Sequence, residues 1–435
     1  MNLLSDMRLG VLINSYACCP DMGSEPGMGW HWIVSLAEYC ECYVISEGEF
    51  RPQVERWLAQ VDNKNVAEHL HFYWLPIGGG DPADNERIRH MCWNQGDWRF
   101  YYYYRKWQKR AAECAREIVV SQNNSGKPIQ ILHQLNMIGF REPGYLWQVS
   151  KEKNVPLVWG PIDAKQGFPM AYAEGAPAKV KAFLWLKNFI TRLQLRYMPR
   201  VQKAANQAAV LISASSDSQQ SILHYWNKQS VLLNETGCTI AEASQENRIQ
   251  IEDNTKESFD ILWCGKMDFR KQLDLAIRSI ARSKIPNAVL HVVGDGDNTH
   301  YKQLAGRLNV HVVWYGRKSH DEVQTMMRSS DVLLFTSVAE GTPHVVMEAL
   351  ANGLPIICHK TCGQGDVVNE NVGIPIPLST PSESVAASAN ALYALWTQPD
   401  ARIRLKKQCL KLAQELTWSN KAKILVDKYN SAQHK

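Results

Sequence analysis

Short apolar runs recur along this chain, separated by longer stretches with helical spacing. Leu9 to Ser15, Cys42 to Ser46, His71 to Pro76, Ile129 to His133, Val155 to Trp159 and Ala209 to Ala214 read as strands in the first half. Phe259 to Cys264, Val332 to Phe335 and Ile356 to Cys358 read the same way in the second. Most are nearly continuous in apolar character, the pattern of strands covered on both faces. Strands alternating with helices predict parallel, doubly wound α/β sheets. A first helix is expected from Trp30 to about Glu38, and another from Val345 to Asn352, stopped by Gly353 and Pro355.

At 435 residues the chain suits two domains of about 200 residues each. Apolar Val231 to Leu233 gives way to the turn Asn234-Glu235-Thr236-Gly237 and then to polar Glu242 to Ser258, where the junction is expected. The predicted division is 1–235, 236–415 and a last helix in 416–435. Trp418, Ala422, Leu425 and Tyr429 form one stripe on that helix, so it has a face to bury.

Composition narrows the function only a little. A net charge of +5 is too mild to imply nucleic acid. Eleven cysteines without a repeated metal-type spacing read as reduced thiols of a cytoplasmic protein. Asp6 and Arg8 precede the first apolar run, which reads as a strand and not a signal peptide. Two segments are locally basic. Trp98 to Arg110 mixes aromatics with five cations, and Lys179 to Arg200 carries Lys179, Lys181, Lys187, Arg192, Arg196 and Arg200 with no acid, interleaved with Phe183, Trp185 and Phe189. The latter suits a membrane surface bearing anionic lipid, reached from the inner face, or a solvated helix with its apolar side on a sheet.

The candidate chemistry centres on Asp331 to Cys358. A strand, the loop Ala339 to His344, a helix and a second strand make one parallel crossover, so the loop lies where open α/β sheets bind ligands. Pro343 begins the helix, and the free N–H groups after it suit a phosphate. Glu340 and Glu348 flank that position, ready to accept hydrogen bonds from sugar hydroxyls. A nucleotide-sugar needs this set: N–H groups for the diphosphate, one acid for the ribose and one for the transferred sugar. The alternative is an ordinary first-turn acid and a loop charge. Lys266 and Lys271, after the strand ending at Cys264, can reach the same diphosphate. The glycine-rich loop Cys19 to Gly29 suits close approach of backbone to phosphate. Asp295-Gly296-Asp297 follows a strand as a turn and is not read as a metal site.

The run EGTPHVVMEALANGLPII resembles the E-x7-E signature of retaining, family-4-type glycosyltransferases of the GT-B fold, the bacterial polysaccharide-assembly type. Glu340, Gly341, Pro343, Glu348, Ala349, Gly353 and Pro355 all match it. The resemblance implies two facing Rossmann-like domains, with a C-terminal helix crossing back to the first. It implies metal-independent transfer of a hexose, with retention, from a nucleotide-diphosphate sugar to a glycan or lipid-linked acceptor. No cofactor is implied beyond the donor. Gly23 and Ser24 would lie over the diphosphate, with Glu25 near the acceptor. Lys266 and Lys271 fill the R-x4-K element, with lysine in the arginine place. Gly341, Thr342, Pro343, His344 and Val345 would cradle phosphate, Glu348 the ribose and Arg317 the base. Glu340, Lys271 and His133 are the catalytic candidates. The histidine expected two positions after His133 is replaced by Leu135. Asp163, in the turn after Trp159, can accept from an acceptor hydroxyl. An epimerase or hydrolase of the same fold, or a silent glycan- or nucleotide-binding partner, are the competing readings.

Overall fold

The computed structural model describes residues 8–93, 99–165, 167–174, 176–240 and 257–433. They form two sheets in which all neighbouring strands run parallel. The first has the order β3-β2-β1-β4-β5-β6-β7, with β1 at Leu9–Ser15, β2 at Cys40–Glu47, β3 at Leu70–Leu75, β4 at Ile131–Asn136, β5 at Leu157–Ile162, β6 at Ala208–Ser213 and β7 at Val231–Leu232. The second has the order β10-β9-β8-β11-β12-β13, with β8 at Phe259–Cys264, β9 at Ala288–Val293, β10 at His311–Gly316, β11 at Val332–Phe335, β12 at Ile356–His359 and β13 at Gly373–Ile376. Strand order reverses beside β1 in the first sheet and beside β8 in the second. These are the two switch points where a crevice opens at the carboxyl ends of the strands.

Both faces of each sheet are covered. Val11 and Ile13 pack on one side of β1, and Leu12 packs on the other with Trp107 and Ala111. In the second sheet Leu262 and Leu333 face one helix layer, while Ile261 and Trp263 face Leu273 and Ile277. The apolar strands of the sequence are continuous for this reason.

Three expectations shift. β4 and β5 each run three residues beyond their expected ends at His133 and Trp159, and in β4 the polar residues there are paired inside the sheet. Buried Gln134 and Asn14 share a hydrogen bond of 3.1 Å, and Asn136 Nδ2 donates to the Ala17 carbonyl at 2.7 Å. Helix α1 covers Ser24–Ala37, so it starts six residues before Trp30 and takes in half of the expected loop. Pro26 is tolerated in its first turn. Gly29 is needed because a Cβ there would collide with the Ala17 carbonyl, so this glycine serves close helix packing. The junction expected at Glu242 to Ser258 lies outside the described residues up to Lys256.

Helix α2 covers Arg99–Asn124 and uses much of its basic character internally: Arg105 pairs with Glu142, and Arg110 donates to the Pro76 and Ile77 carbonyls. Trp98 lies outside the described residues. Helix α3 covers Ala178–Tyr197 and behaves differently. It buries Asn188, Thr191 and Leu195, and leaves Phe183 63% and Trp185 62% exposed beside exposed Leu186, Phe189, Ile190, Leu193 and Tyr197. The expectation that its apolar side rests on a sheet is therefore wrong. Among the described residues no helix is long and apolar enough to cross a membrane.

The last helix, Trp418–Gln433, returns to the first domain. Trp418, Ala422, Leu425 and Tyr429 join the core that holds β1 and α1. Lys421, on the same helix, is buried and donates from Nζ to the carbonyls of Asn234, at 2.6 Å, and Thr236. Burial lowers its pKa to about 8, against the pull of Glu235 and Cys238.

Candidate functional site

The two switch points face each other across a cavity of about 480 Å³. Its walls bring together Ser24, Lys271, Glu340, Gly341, Thr342, Pro343, His344, Val345 and Glu348, all of them expected from the sequence. Gly23 lines the adjoining groove, which shares Ser24, His344 and Glu348. Helix α4, His344–Ala351, follows β11 with Pro343 as its N-cap and points its first turn into the cavity. Ser24 takes a left-handed φ of +56° at the start of α1, an uncommon conformation for a residue with a Cβ.

Lys271 and Glu340 do more than face each other. Lys271 Nζ lies 2.7 Å from Glu340 Oε1, with both side chains 15% exposed. Ser337 Oγ donates to the same carboxylate oxygen at 2.6 Å, and the Phe335 ring lies 5.3 Å from the ammonium. The pair is thus a preformed, nearly dry couple of opposite charges that an incoming phosphate or hydroxyl can divide. Glu348 lies 3.5 Å from His320 Nε2, and this contact raises the histidine pKa against its desolvation.

The N–H array at the helix start is shorter than the sequence suggests. The Thr342 N–H donates to Glu235 Oε1, and Thr342 Oγ1 donates to Glu235 Oε2 at 2.8 Å. Gly341 is glycine for the same reason, since a Cβ there would collide with Glu235 Oε1. Among the described residues, the helix-start N–H groups left without a partner are those of His344 and Val345. Glu235, buried in the interdomain segment, fastens the loop of the second domain to the first, and Thr236 Oγ1 donates to the Thr342 carbonyl at 3.2 Å. Spacing gives no clue to this, because Glu235 stands alone in a turn.

The first domain contributes acids. Glu25 Oε1 accepts the Ile138 N–H at 2.7 Å. Desolvation pushes its pKa up to about 7, with Glu235 and Asp163 adding to the rise and the Ile138 N–H opposing it. Asp163 lies 3.9 Å from Lys165 Nζ. Burial lowers the Lys165 pKa, but Asp163, Cys362, Glu235 and Glu340 together hold it above the usual lysine value, so it stays cationic.

Three expected residues stand apart from this cavity. His133 is fully buried, with Nε2 2.7 Å from the Gly160 carbonyl and Nδ1 2.6 Å from the Tyr429 hydroxyl. It is a core histidine, held neutral with a pKa lowered to about 4 by burial, and the catalytic role expected for it is withdrawn. Lys266 and Arg317 are exposed and do not line the cavity. Asp297 accepts its own turn's Thr299 N–H at 2.9 Å, and among the described residues no three His, Cys, Asp or Glu side chains are grouped to hold a metal ion.

Comparison with known proteins agrees with this geometry. Residues 244–411 match the family model for glycosyl transferases group 1. Sulfoquinovosyl transferase SQD2 of Arabidopsis thaliana is 28% identical over 233 residues, 51% of this chain and 41% of its own length. The lipopolysaccharide 1,6-galactosyltransferase of Escherichia coli is 32% identical over 124 residues, 27% of this chain and 34% of its own. The chain thus spans less than half the length of these curated relatives. Among solved structures, HepE of Anabaena in complex with UDP aligns over 97% of this chain and 100% of its own, with a TM-score of 0.60 at 15% identity. That likeness concerns the fold. Two parallel Rossmann-like domains that face each other across a crevice give this chain the GT-B fold, and its second domain matches the model of glycosyl transferases group 1.

Proposed function

We propose that the protein transfers a hexose, with retention at the anomeric carbon, from a nucleotide-diphosphate sugar to a glycan or lipid-linked saccharide acceptor in polysaccharide assembly. One observation carries the reading: Lys271, Glu340, Glu348 and the start of α4 converge on a single cavity at the switch points of both sheets. The diphosphate meets the His344 and Val345 N–H groups and Lys271, which stabilise the charge that grows on the leaving group. Glu348 accepts from the ribose hydroxyls. Glu340, released from Lys271 as phosphate takes the ammonium, accepts from hydroxyls of the transferred sugar. The leaving oxygen takes the acceptor proton on the same face of the sugar, and the protein contributes position, dryness and charge. The chain's own cations and N–H groups serve the phosphates, so transfer continues in the presence of EDTA. UDP and UDP-glucose are bound by the similarly folded HepE, which makes a uridine donor the first to try.

The exposed apolar and acid-free face of α3 supports attachment to the cytoplasmic face of a membrane carrying anionic lipid. Co-sedimentation with phosphatidylglycerol vesicles, lost with Phe183→Ser together with Trp185→Ser, tests that attachment. For transfer itself, nucleoside diphosphate release is measured with and without a saccharide acceptor for uridine, guanosine and adenosine diphosphate sugars. Release equal in both arms makes the protein a hydrolase, and no release from any donor ends the transferase reading.

A further inference from the structure

A second cavity, of about 270 Å³, is lined by Lys165 and by α3. Its position follows from three elements: the loop after β5 supplies Lys165, α3 supplies Asn188 and Arg192, and the second domain supplies Val338 and Cys362. Glu340 and this cavity adjoin, because the Glu340 N–H donates to Cys362 Sγ at 3.4 Å and Lys165 feels the Glu340 charge.

The wall is built, not incidental. Asn188 grips the backbone of Phe168 twice, accepting its N–H at 2.9 Å and donating to its carbonyl at 2.8 Å. Asp217, the cavity's one acid among the described residues, is held on one oxygen: its Oδ2 accepts the Cys362 N–H at 2.9 Å and the Thr361 hydroxyl at 3.2 Å. Lys165 is 17% exposed and has only the distant Asp163 carboxylate, at 3.9 Å, as an ion-pair partner among the described residues. Arg192 makes no ion pair among the described residues. Two cations, one of them largely buried, thus face the cavity together with a single carboxylate, Asp217.

The helix that supplies Arg192 also carries an exposed apolar strip beside it. Arg192 follows Phe189 by three positions and Trp185 by seven, so all three share one strip of α3. Trp185 and Phe189 stack with ring centroids 5.8 Å apart, and both are exposed. We infer that this cavity is the acceptor subsite, and that it takes a phosphorylated amphiphile whose phosphate lies between Lys165 and Arg192 and whose apolar chain follows the Trp185 and Phe189 strip. The sugar end then points past Cys362 toward Glu340. This rests on the transferase reading and names the class of its acceptor.

Decyl phosphate below its micellar concentration serves as probe, with calorimetric titration of the full chain and no donor present. Decyl β-glucoside supplies the tail without the charge, and inorganic phosphate the charge without the tail. Decyl phosphate is expected to bind at least about tenfold more tightly than either control, and Lys165→Gln and Arg192→Gln are each expected to weaken it about tenfold, as loss of a charge-assisted contact does. Melting temperatures of the variants check that they are folded. Equal binding by folded variants and wild type, by the glucoside, or by inorganic phosphate overturns the subsite. If decyl phosphate binds as expected while no nucleotide-sugar is turned over, the transferase reading fails and the subsite stands.

Discussion

The second domain carries its ligand chemistry on a short path, from Lys271 after β8 to Glu340 and Glu348 around the crossover after β11. The first domain assembles its share from remote places: Glu25 from the start of α1, Asp163 from the end of β5 and Glu235 from the interdomain segment. Burial, with Glu235 and Asp163 nearby, raises the Glu25 pKa, whereas the second domain's Glu340 has a cation at 2.7 Å. The domains thus divide the work. The second presents paired charge suited to phosphate, and the first presents carboxyls, one of them Glu25 with its pKa pushed up to about 7, suited to hydroxyls. A local pattern specifies the first kind of site, and only the folded chain specifies the second.

Removing the cation from the second domain tests this division most severely. Lys271→Ala should lower transfer about a thousandfold, as loss of a charge-stabilising group does, with the far-UV circular dichroism retained. Near-normal turnover would take Lys271 out of the leaving-group role. Glu235→Ala cuts the tie between the domains at Thr342. It should raise the donor KM about ten- to a hundredfold and change kcat less, because the loop is misplaced while the charges survive. An unchanged KM would mean that the loop holds its shape without Glu235.

Two measurements of stability probe the first domain's side. Glu25 has a folded pKa near 7, above its unfolded value, so the folded state keeps the proton longer. Its favourable contribution is complete below pH 4.5 and is lost as pH rises through 7, so stability falls over that window by on the order of 3 kcal/mol. Denaturant midpoints should show this slope in the wild type and not in Glu25→Gln; matching slopes would remove Glu25 as the source. Tyr429→Phe leaves His133 Nδ1 without its donor and should cost about 1 kcal/mol, with KM and kcat unaltered. A kinetic effect in that variant would return His133 to the active site.

Much of the second domain was legible because its signals are local. Continuous apolar runs located β8, β11 and β12, and Pro343 with Gly353 bracketed α4 to within one residue. Glu340, Glu348 and Lys271 reached one cavity because crossover geometry fixes where the loops after β8 and β11 must go. The first domain was harder to read. Glycines at 27 and 29 serve helix packing as readily as they would serve a phosphate loop, and no spacing distinguishes the two uses. His133 ends an apolar run like a site residue, and only its contacts with Gly160 and Tyr429, the latter almost three hundred positions away, show that it is structural. Lys421 and Glu235 carry no local signal, because each is a single charge whose partners are distant in sequence.

The return of Trp418–Gln433 to the sheet of β1 has a consequence during synthesis. Trp418, Ala422, Leu425 and Tyr429 fill a core whose other walls leave the ribosome several hundred residues earlier. Until translation reaches that helix, Trp32, Ile33 and Leu36 of α1 have an uncovered apolar flank. Two-domain maturation in this protein is therefore not sequential: its first half is finished last.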